Sequence, residues 1–287
     1  MKVGIVGAGA IGLLTAKLLE DFGHQVLVLQ RTKKEVPMLF QTPSGDLEMV
    51  SFSVTDNWED VESVELLIVA TKAYHLPAVL PQLRTYPGPL LFIQNGLVSN
   101  LVAKKLKETA NVFGSVDHGA TIQDGILMHT GHGSIRFGGE EKFAYLATEL
   151  GPVLKWESHI EHVLLRKAAL NTLINPLTAL LDVRNGTLSE NKALQRAVIS
   201  HYDELILGIP VLEELLSLED VFDLIKRTST NTSSMRNDVL RGEETEVDYI
   251  VKPLLEIAEK EGRYLPITGY LYELIQSKRG EYDRKYT

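Results

Sequence analysis

Residues 2–12 read Lys2-Val-Gly-Ile-Val-Gly-Ala-Gly-Ala-Ile-Gly12, an apolar strand-like run that breaks into glycines spaced G-x-G-x-x-G and continues as a helix. Each glycine has its own task. Gly7 permits a tight turn, Gly9 lets backbone approach a pyrophosphate with no Cβ in the way, and Gly12 lets the helix sit close to its strand. The helix start, with Ala8, Ala10 and Ile11 between the glycines, offers free N–H groups and partial positive charge to phosphates. The glycine spacing alone is unspecific, but its setting is not. Ile11, Leu14, Leu18, Leu19 and Phe22 fall at helical spacing, Gly23 is a stop signal, and Gln25-Val-Leu-Val-Leu-Gln30 reads as a second buried strand. Together they form a complete βαβ unit, the setting of a dinucleotide site.

The end of the second strand selects the cofactor. An NAD site usually places Asp or Glu there for the ribose 2′-hydroxyl, whereas an NADP site meets a 2′-phosphate with a cation. Here stand Gln30, Arg31, Thr32, Lys33 and Lys34, with no carboxylate before Glu35. Arg31 can grip a phosphate with its planar fork. The competing reading is a solvated basic loop. NADP(H) is the expected cofactor.

Composition narrows the classes. The chain has 287 residues, 44% of them hydrophobic, enough for two domains with buried cores. A formal charge of -9 gives no broad basic face for nucleic acid. No cysteine is present, so disulfides, thiolate zinc sites and a cysteine nucleophile are excluded. Apolar runs such as 66–70 are too short to span a bilayer, and no signal-like stretch opens the chain. The expectation is a soluble, cytoplasmic protein that binds a small molecule, with neither nucleic acid nor membrane as partner.

Further strands are predicted at 65–71, 89–94 and 111–116, and short strands or hairpins at 118–139 that close the edge of the first domain. Ligands in open α/β sheets lie beyond the carboxyl ends of strands, where Lys72, Asn95 and Gly96 fall. Lys72 can meet cofactor phosphate or ribose, and Asn95 can lie beside a nicotinamide; either can equally be a wet loop residue. Near Ile160 the texture turns to long helical patterns. The predicted fold is α/β: an N-terminal Rossmann domain with a doubly wound, mostly parallel sheet over 1–160, which binds NADP, then an all-helical substrate domain over 161–287. The helical part offers surfaces for a homodimer.

Lys167, Asn171 and Asn175, spaced i, i+4, i+8, share one stripe of a helix whose other positions are largely apolar. Such residues are costly there unless they line a wet cavity or bind something. Hydride reduction of a ketone leaves charge on oxygen and needs a proton donor; Lys167 is such a donor, with Asn171 and Asn175 to orient substrate. Asn231-Thr-Ser-Ser-Met235 precedes another helix, and either caps it or seats a substrate carboxylate. Glu246, among other acids, reads by itself as solvated. The histidine pairs 129/132 and 159/162 lack thiolate partners and the usual i, i+4 spacing, so no metal site is expected, and His129 and His132 read as part of a glycine-rich loop. G-x-S-x-G is absent, which argues against serine hydrolysis.

These residues, taken in order, resemble the 2-dehydropantoate 2-reductase (ketopantoate reductase) family over essentially the whole chain. The resemblance rests on the opening G-A-G-A-I-G with Arg31, on Gln94-Asn95-Gly96, and on the H-G-A and H-T-G-H-G segments. It continues through Lys167 with Asn171 and Asn175-Pro176-Leu-Thr-Ala, Asn185-Gly186, Asn231-Thr-Ser-Ser-Met and Thr245-Glu246-Val-Asp-Tyr-Ile250. It implies NADPH-dependent reduction of ketopantoate to pantoate in pantothenate biosynthesis, with Lys167 as general acid. It implies further that Asn95, Asn171, Asn175, Asn231, Ser234 and Glu246 hold or position substrate. Gly7 to Gly12, Arg31, Lys72, Asn95 and Glu246 would serve the cofactor. Two other readings remain: reduction of another 2-oxo acid on the same scaffold, and a non-catalytic NADP(H)-sensing module.

Overall fold

The computed structural model describes residues 1–32, 35–106 and 111–283. Lys33 and Lys34 of the basic cluster lie outside them. Two compact units emerge: Met1–Gln94 with Val98–Ile160, and Asn95–Leu97 with Glu161–Thr287. The short segment Asn95–Leu97, read from sequence as part of the first domain, thus belongs with the helical residues.

The first unit is built on short apolar runs that are buried on both faces, the pattern of central parallel strands. Its strands are β1 (Lys2–Val6), β2 (Gln25–Leu29), β3 (Leu39–Gln41), β4 (Leu47–Met49), β5 (Val54–Thr55) and β6 (Leu66–Val69). They continue as β7 (Leu90–Phe92), β8 (Asn111–Val116), β9 (Gly119–Gln123), β10 (Ile126–Gly131), β11 (Ile135–Gly138) and β12 (Leu154–Trp156). Eight form one sheet in the order β12-β11-β8-β7-β6-β1-β2-β5. All neighbours are parallel except β11 against β8. The reversal of strand order on the two sides of β1 is that of a doubly wound sheet.

The stretch 118–139 does not close this sheet by itself. β9 and β10 leave it and pair with β3 and β4 in a second sheet, ordered β4-β3-β10-β9. Only β11 returns, and the true edge is β12, which the sequence reading did not anticipate. Helix α1 (Ala10–Asp21) joins both sheets in one core, in which Leu13, Leu14 and Leu19 pack with Ile5, Ile68, Phe40 and Leu127.

The second unit is helical. Its helices include α2 (Ile160–Leu181), α3 (Lys192–Gly208), α4 (Leu218–Arg227), α5 (Ser234–Arg241), the short α6 (Val247–Ile250), α7 (Lys252–Lys260) and α8 (Pro266–Asp283). Helices break at 185–186, 208–210 and 262–266, where Gly and Pro interrupt the periodicity, and also at 228–233 and 242–246, which the sequence reading did not anticipate. Pro176 sits inside α2. Helix α4 starts on a capping box in which Ser217 accepts from the Asp220 N–H and the Asp220 carboxylate accepts in return. Among the described residues no helix is long and apolar enough to cross a membrane.

Candidate active site

In the first unit, the β1–α1 turn is shaped by its glycines. Gly7 has φ +117°, and a Cβ there would stand 2.9 Å from the Thr71 main-chain nitrogen. A Cβ on Gly12 would stand 2.0 Å from the Gly7 carbonyl oxygen, so helix and turn touch backbone to backbone. Gly9 is different: nothing lies within 4 Å of where its Cβ would be. Gly9 is also the N-cap of α1, no side chain caps the helix, and its first turn holds no acid. An open face above uncapped N–H groups fits a pyrophosphate. Arg31 follows β2 in an exposed bend, and Lys72 is half-buried just after β6.

A polar row at the carboxyl edge of the sheet escaped the sequence reading. Val69 is level with Phe92, and Phe92 with Phe113; Thr71, Gln94 and Ser115 each follow two residues on along the chain, and Arg136 is opposite Ser115. Ser115 and Arg136 alternate along their strands with Val116, Ile135 and Phe137, which belong to the core around α1. Each polar residue of the row buries one polar atom for which the described residues supply no hydrogen-bond partner: Thr71 Oγ1, Gln94 Oε1, Ser115 Oγ and Arg136 Nε. Gln94 is oriented by its Nε2, which donates to the Val69 carbonyl at 2.7 Å. The signal available in sequence was the repeated step from apolar strand to polar residue at 71 and 94.

His129 is not in a loop. It is a buried residue of β10, its Nε2 lies 2.9 Å from His118 Nδ1, and its ring touches that of His132. His118 Nδ1 also accepts from the Gly133 N–H at 3.2 Å. Burial, then the neighbouring imidazoles, push His118 and His129 below the ordinary histidine value; Asp117 opposes this at His118 and a Gly131 main-chain hydrogen bond at His129. Among the described residues, no group of three or more His, Cys, Asp or Glu is arranged to hold a metal.

In the second unit, Lys167, Asn171 and Asn175 follow one another along α2 with Ala168, Ala169, Leu170, Leu173 and Ile174 buried around them. Lys167 and Asn171 are half-buried, and Asn175 is 5% exposed. This is no solvated face.

Glu246 corrects the sequence reading most sharply. Taken alone it read as solvated, yet it is 3% exposed, and its carboxylate accepts from Asn95 Nδ2 at 3.4 Å across 151 positions of chain. The cause is the loop 95–97. Leu97 N–H donates to the Tyr249 carbonyl at 2.8 Å. Gly96 has φ +92°, and a Cβ on it would stand 2.1 Å from that same carbonyl oxygen. Only glycine lets the loop close onto α6, and that closure brings Asn95 to Glu246.

Of the serines in 231–235, Ser233 fills the capping role. Ser233 is buried and caps α5, accepting from the Arg236 N–H at 3.1 Å. Ser234, the first residue of the helix, is exposed, as is Asn231. The structure thus brings Lys167, Asn171 and Asn175 onto one helix, and Asn95 together with Glu246.

Residues 3–141 match the family model described as ketopantoate reductase PanE/ApbA, and residues 159–279 match the model of its C-terminal region. A 2-dehydropantoate 2-reductase of Listeria monocytogenes is 35% identical over 99% of this chain and 98% of its own length. The crystal structure of a PanE/ApbA family ketopantoate reductase from Ralstonia eutropha superposes with a TM-score of 0.85 at 20% identity, over 99% of this chain and 100% of the other. A D-mandelate dehydrogenase, solved with NADH and anilino(oxo)acetate, shares the fold at a TM-score of 0.82 and 22% identity, over 99% of each chain. By its matches over both units, the chain belongs to the ketopantoate reductase (2-dehydropantoate 2-reductase) family.

Proposed function

We infer that the protein reduces 2-dehydropantoate to pantoate with NADPH, a step of pantothenate biosynthesis. The observation that carries this reading is the Lys167–Asn171–Asn175 stripe on an otherwise apolar helix. When bound, NADPH supplies the hydride. The carbonyl carbon that receives it passes its π-electron pair to oxygen, and that oxygen needs a proton. Lys167, as the ammonium, donates this proton and is left as the amine until solvent reprotonates it. One ketone, one NADPH and one proton become one alcohol and one NADP⁺.

Asn171 and Asn175 hold the substrate's oxygens, while Asn231 and Ser234 at the start of α5 receive its carboxylate. Asn95, fixed by Glu246, keeps the reacting group in place, and Glu246 adds a buried acceptor for a ligand hydroxyl. Gly7 to Gly12 carry the pyrophosphate, Arg31 the 2′-phosphate, and Lys72 the neighbouring phosphate or ribose. Residues 1–160, apart from 95–97, are the NADP-binding domain, and 161–287 are the substrate domain. The enzyme works in the cytoplasm as a homodimer, in which a second copy covers the exposed Leu207, Tyr264 and Tyr270 of the helical unit.

The test is loss of NADPH absorbance with ketopantoate, NADH and a panel of other 2-oxo acids alongside. Selective oxidation with ketopantoate supports the assignment, and turnover of a different acid moves the enzyme to that substrate. Tight NADPH binding without turnover points to a sensor. Lys167→Ala is expected to lower kcat roughly 10²–10⁴-fold with NADPH affinity retained. Retained turnover removes Lys167 from the role of acid.

A further inference from the structure

We propose that the buried hydroxyl pair Thr178–Ser233 is a positioning device for substrate binding, which holds the Asn231–Ser234 segment in place against the Asn175 end of the α2 stripe. It rests on the function proposed above and deepens it, because neither residue was assigned a role there.

Thr178 is fully buried on α2, less than one turn beyond Asn175, and its Oγ1 lies 2.7 Å from Ser233 Oγ. The protons can be followed. Thr178 Oγ1 is 2.9 Å from the Ile174 carbonyl and 3.0 Å from the Asn175 carbonyl, so its single proton goes to the α2 backbone. Its oxygen is then an acceptor for the Ser233 O–H, while Ser233 Oγ accepts from the Arg236 N–H. All three bonds run in one direction, from the first turn of α5 to the α2 backbone at Ile174 and Asn175.

The pair is the buried end of a longer seam. Arg236 Nε donates to Asp182 at 2.8 Å, just past the end of α2. The Asn185 N–H donates to the Asn231 carbonyl at 3.2 Å, and the Gly186 N–H to the Ser229 carbonyl at 3.0 Å. A Cβ on Gly186 would stand 2.8 Å from Ser229 Cβ, so the Asn185-Gly186 turn is one the seam requires. Ser234 and Asn231, exposed and adjacent to these anchors, are thereby fixed relative to Asn175 on the same unit. Small errors of position in groups that hold a substrate cost much of their effect.

The experiment compares Thr178→Val, which keeps the shape and loses the hydroxyl, with Thr178→Ser, which keeps the hydroxyl and loses the methyl. KM for ketopantoate is expected to rise roughly 10-fold in Thr178→Val and to stay within about 2-fold in Thr178→Ser, with NADPH affinity unchanged in both. In a Ser234→Ala background the Thr178→Val effect on KM should shrink, because part of it acts through Ser234, and an effect that simply adds overturns the proposal. A wild-type KM in Thr178→Val overturns the proposal. A Ser variant as impaired as the Val variant also overturns it, since that ranking marks packing alone. Wild-type enzyme that turns over no 2-oxo acid overturns the functional reading and this proposal with it, whereas normal wild-type turnover with an unchanged variant KM overturns only the positioning role.

Discussion

His201 makes the helical unit acid-sensitive in a calculable way. It is buried on α3, and its Nε2 lies 3.0 Å from Thr268 Oγ1. Thr268 must give its own proton to the Glu204 carboxylate, 2.8 Å away, so Thr268 can only accept from His201. The imidazole proton therefore sits on Nε2, and Nδ1 is buried with no hydrogen-bond partner among the described residues. Protonating Nδ1 would bury a charge and an unmatched N–H. Burial accordingly lowers the His201 pKa from 6.5 to about 4, with the Glu204 charge opposing. The unfolded chain binds this proton below pH 6.5 and the folded chain only near 4, so stability is full above 6.5 and falls as pH drops through that window. At about 1.4 kcal/mol per pKa unit the loss is roughly 2 kcal/mol between pH 7 and 5, and about 3 kcal/mol by pH 4. His201→Gln keeps an N–H donor and removes the titration. Urea unfolding followed by far-ultraviolet circular dichroism reports the helices, while fluorescence reports Trp58 and Trp156 of the first unit. The stability of the wild-type helical unit should fall by about 2 kcal/mol more than that of the variant between pH 7 and 5. Parallel pH profiles would refute the burial argument.

Other substitutions separate ligand contact from folding. Gly9→Val should fold normally, because the space around Gly9 is open, yet weaken NADPH binding at least ~100-fold in a fluorescence titration. Gly12→Ala should instead lower Tm sharply, since its Cβ meets the Gly7 carbonyl. Arg31→Ala should reduce the ratio of NADPH to NADH efficiency roughly 10- to 100-fold, the worth of a charged hydrogen bond to phosphate, and an unchanged ratio would remove Arg31 from 2′-phosphate recognition. Gly96→Ala should cost roughly 2–4 kcal/mol of stability, because a left-handed φ and a carbonyl contact are violated together; a wild-type unfolding midpoint would contradict the loop closure.

What could be read from sequence was periodic and local. The βαβ unit was legible because two-sided burial demands unbroken apolar runs, and because glycines at 7, 9 and 12 serve distances within one turn. The Lys167 stripe was legible because a helix of 3.6 residues per turn converts spacing into a shared face. Tertiary structure decided what depends on partners distant in sequence. Glu246 is buried against Asn95 because a glycine 150 positions away closes a loop on α6. Ser233 rather than Ser234 became the cap because its oxygen faces both the Arg236 N–H and Thr178. His129 went into a strand because β9 and β10 found β3 and left the main sheet. A side chain's spacing fixes the face it shares with its neighbours, but burial and hydrogen bonding belong to whatever the rest of the chain brings against that face.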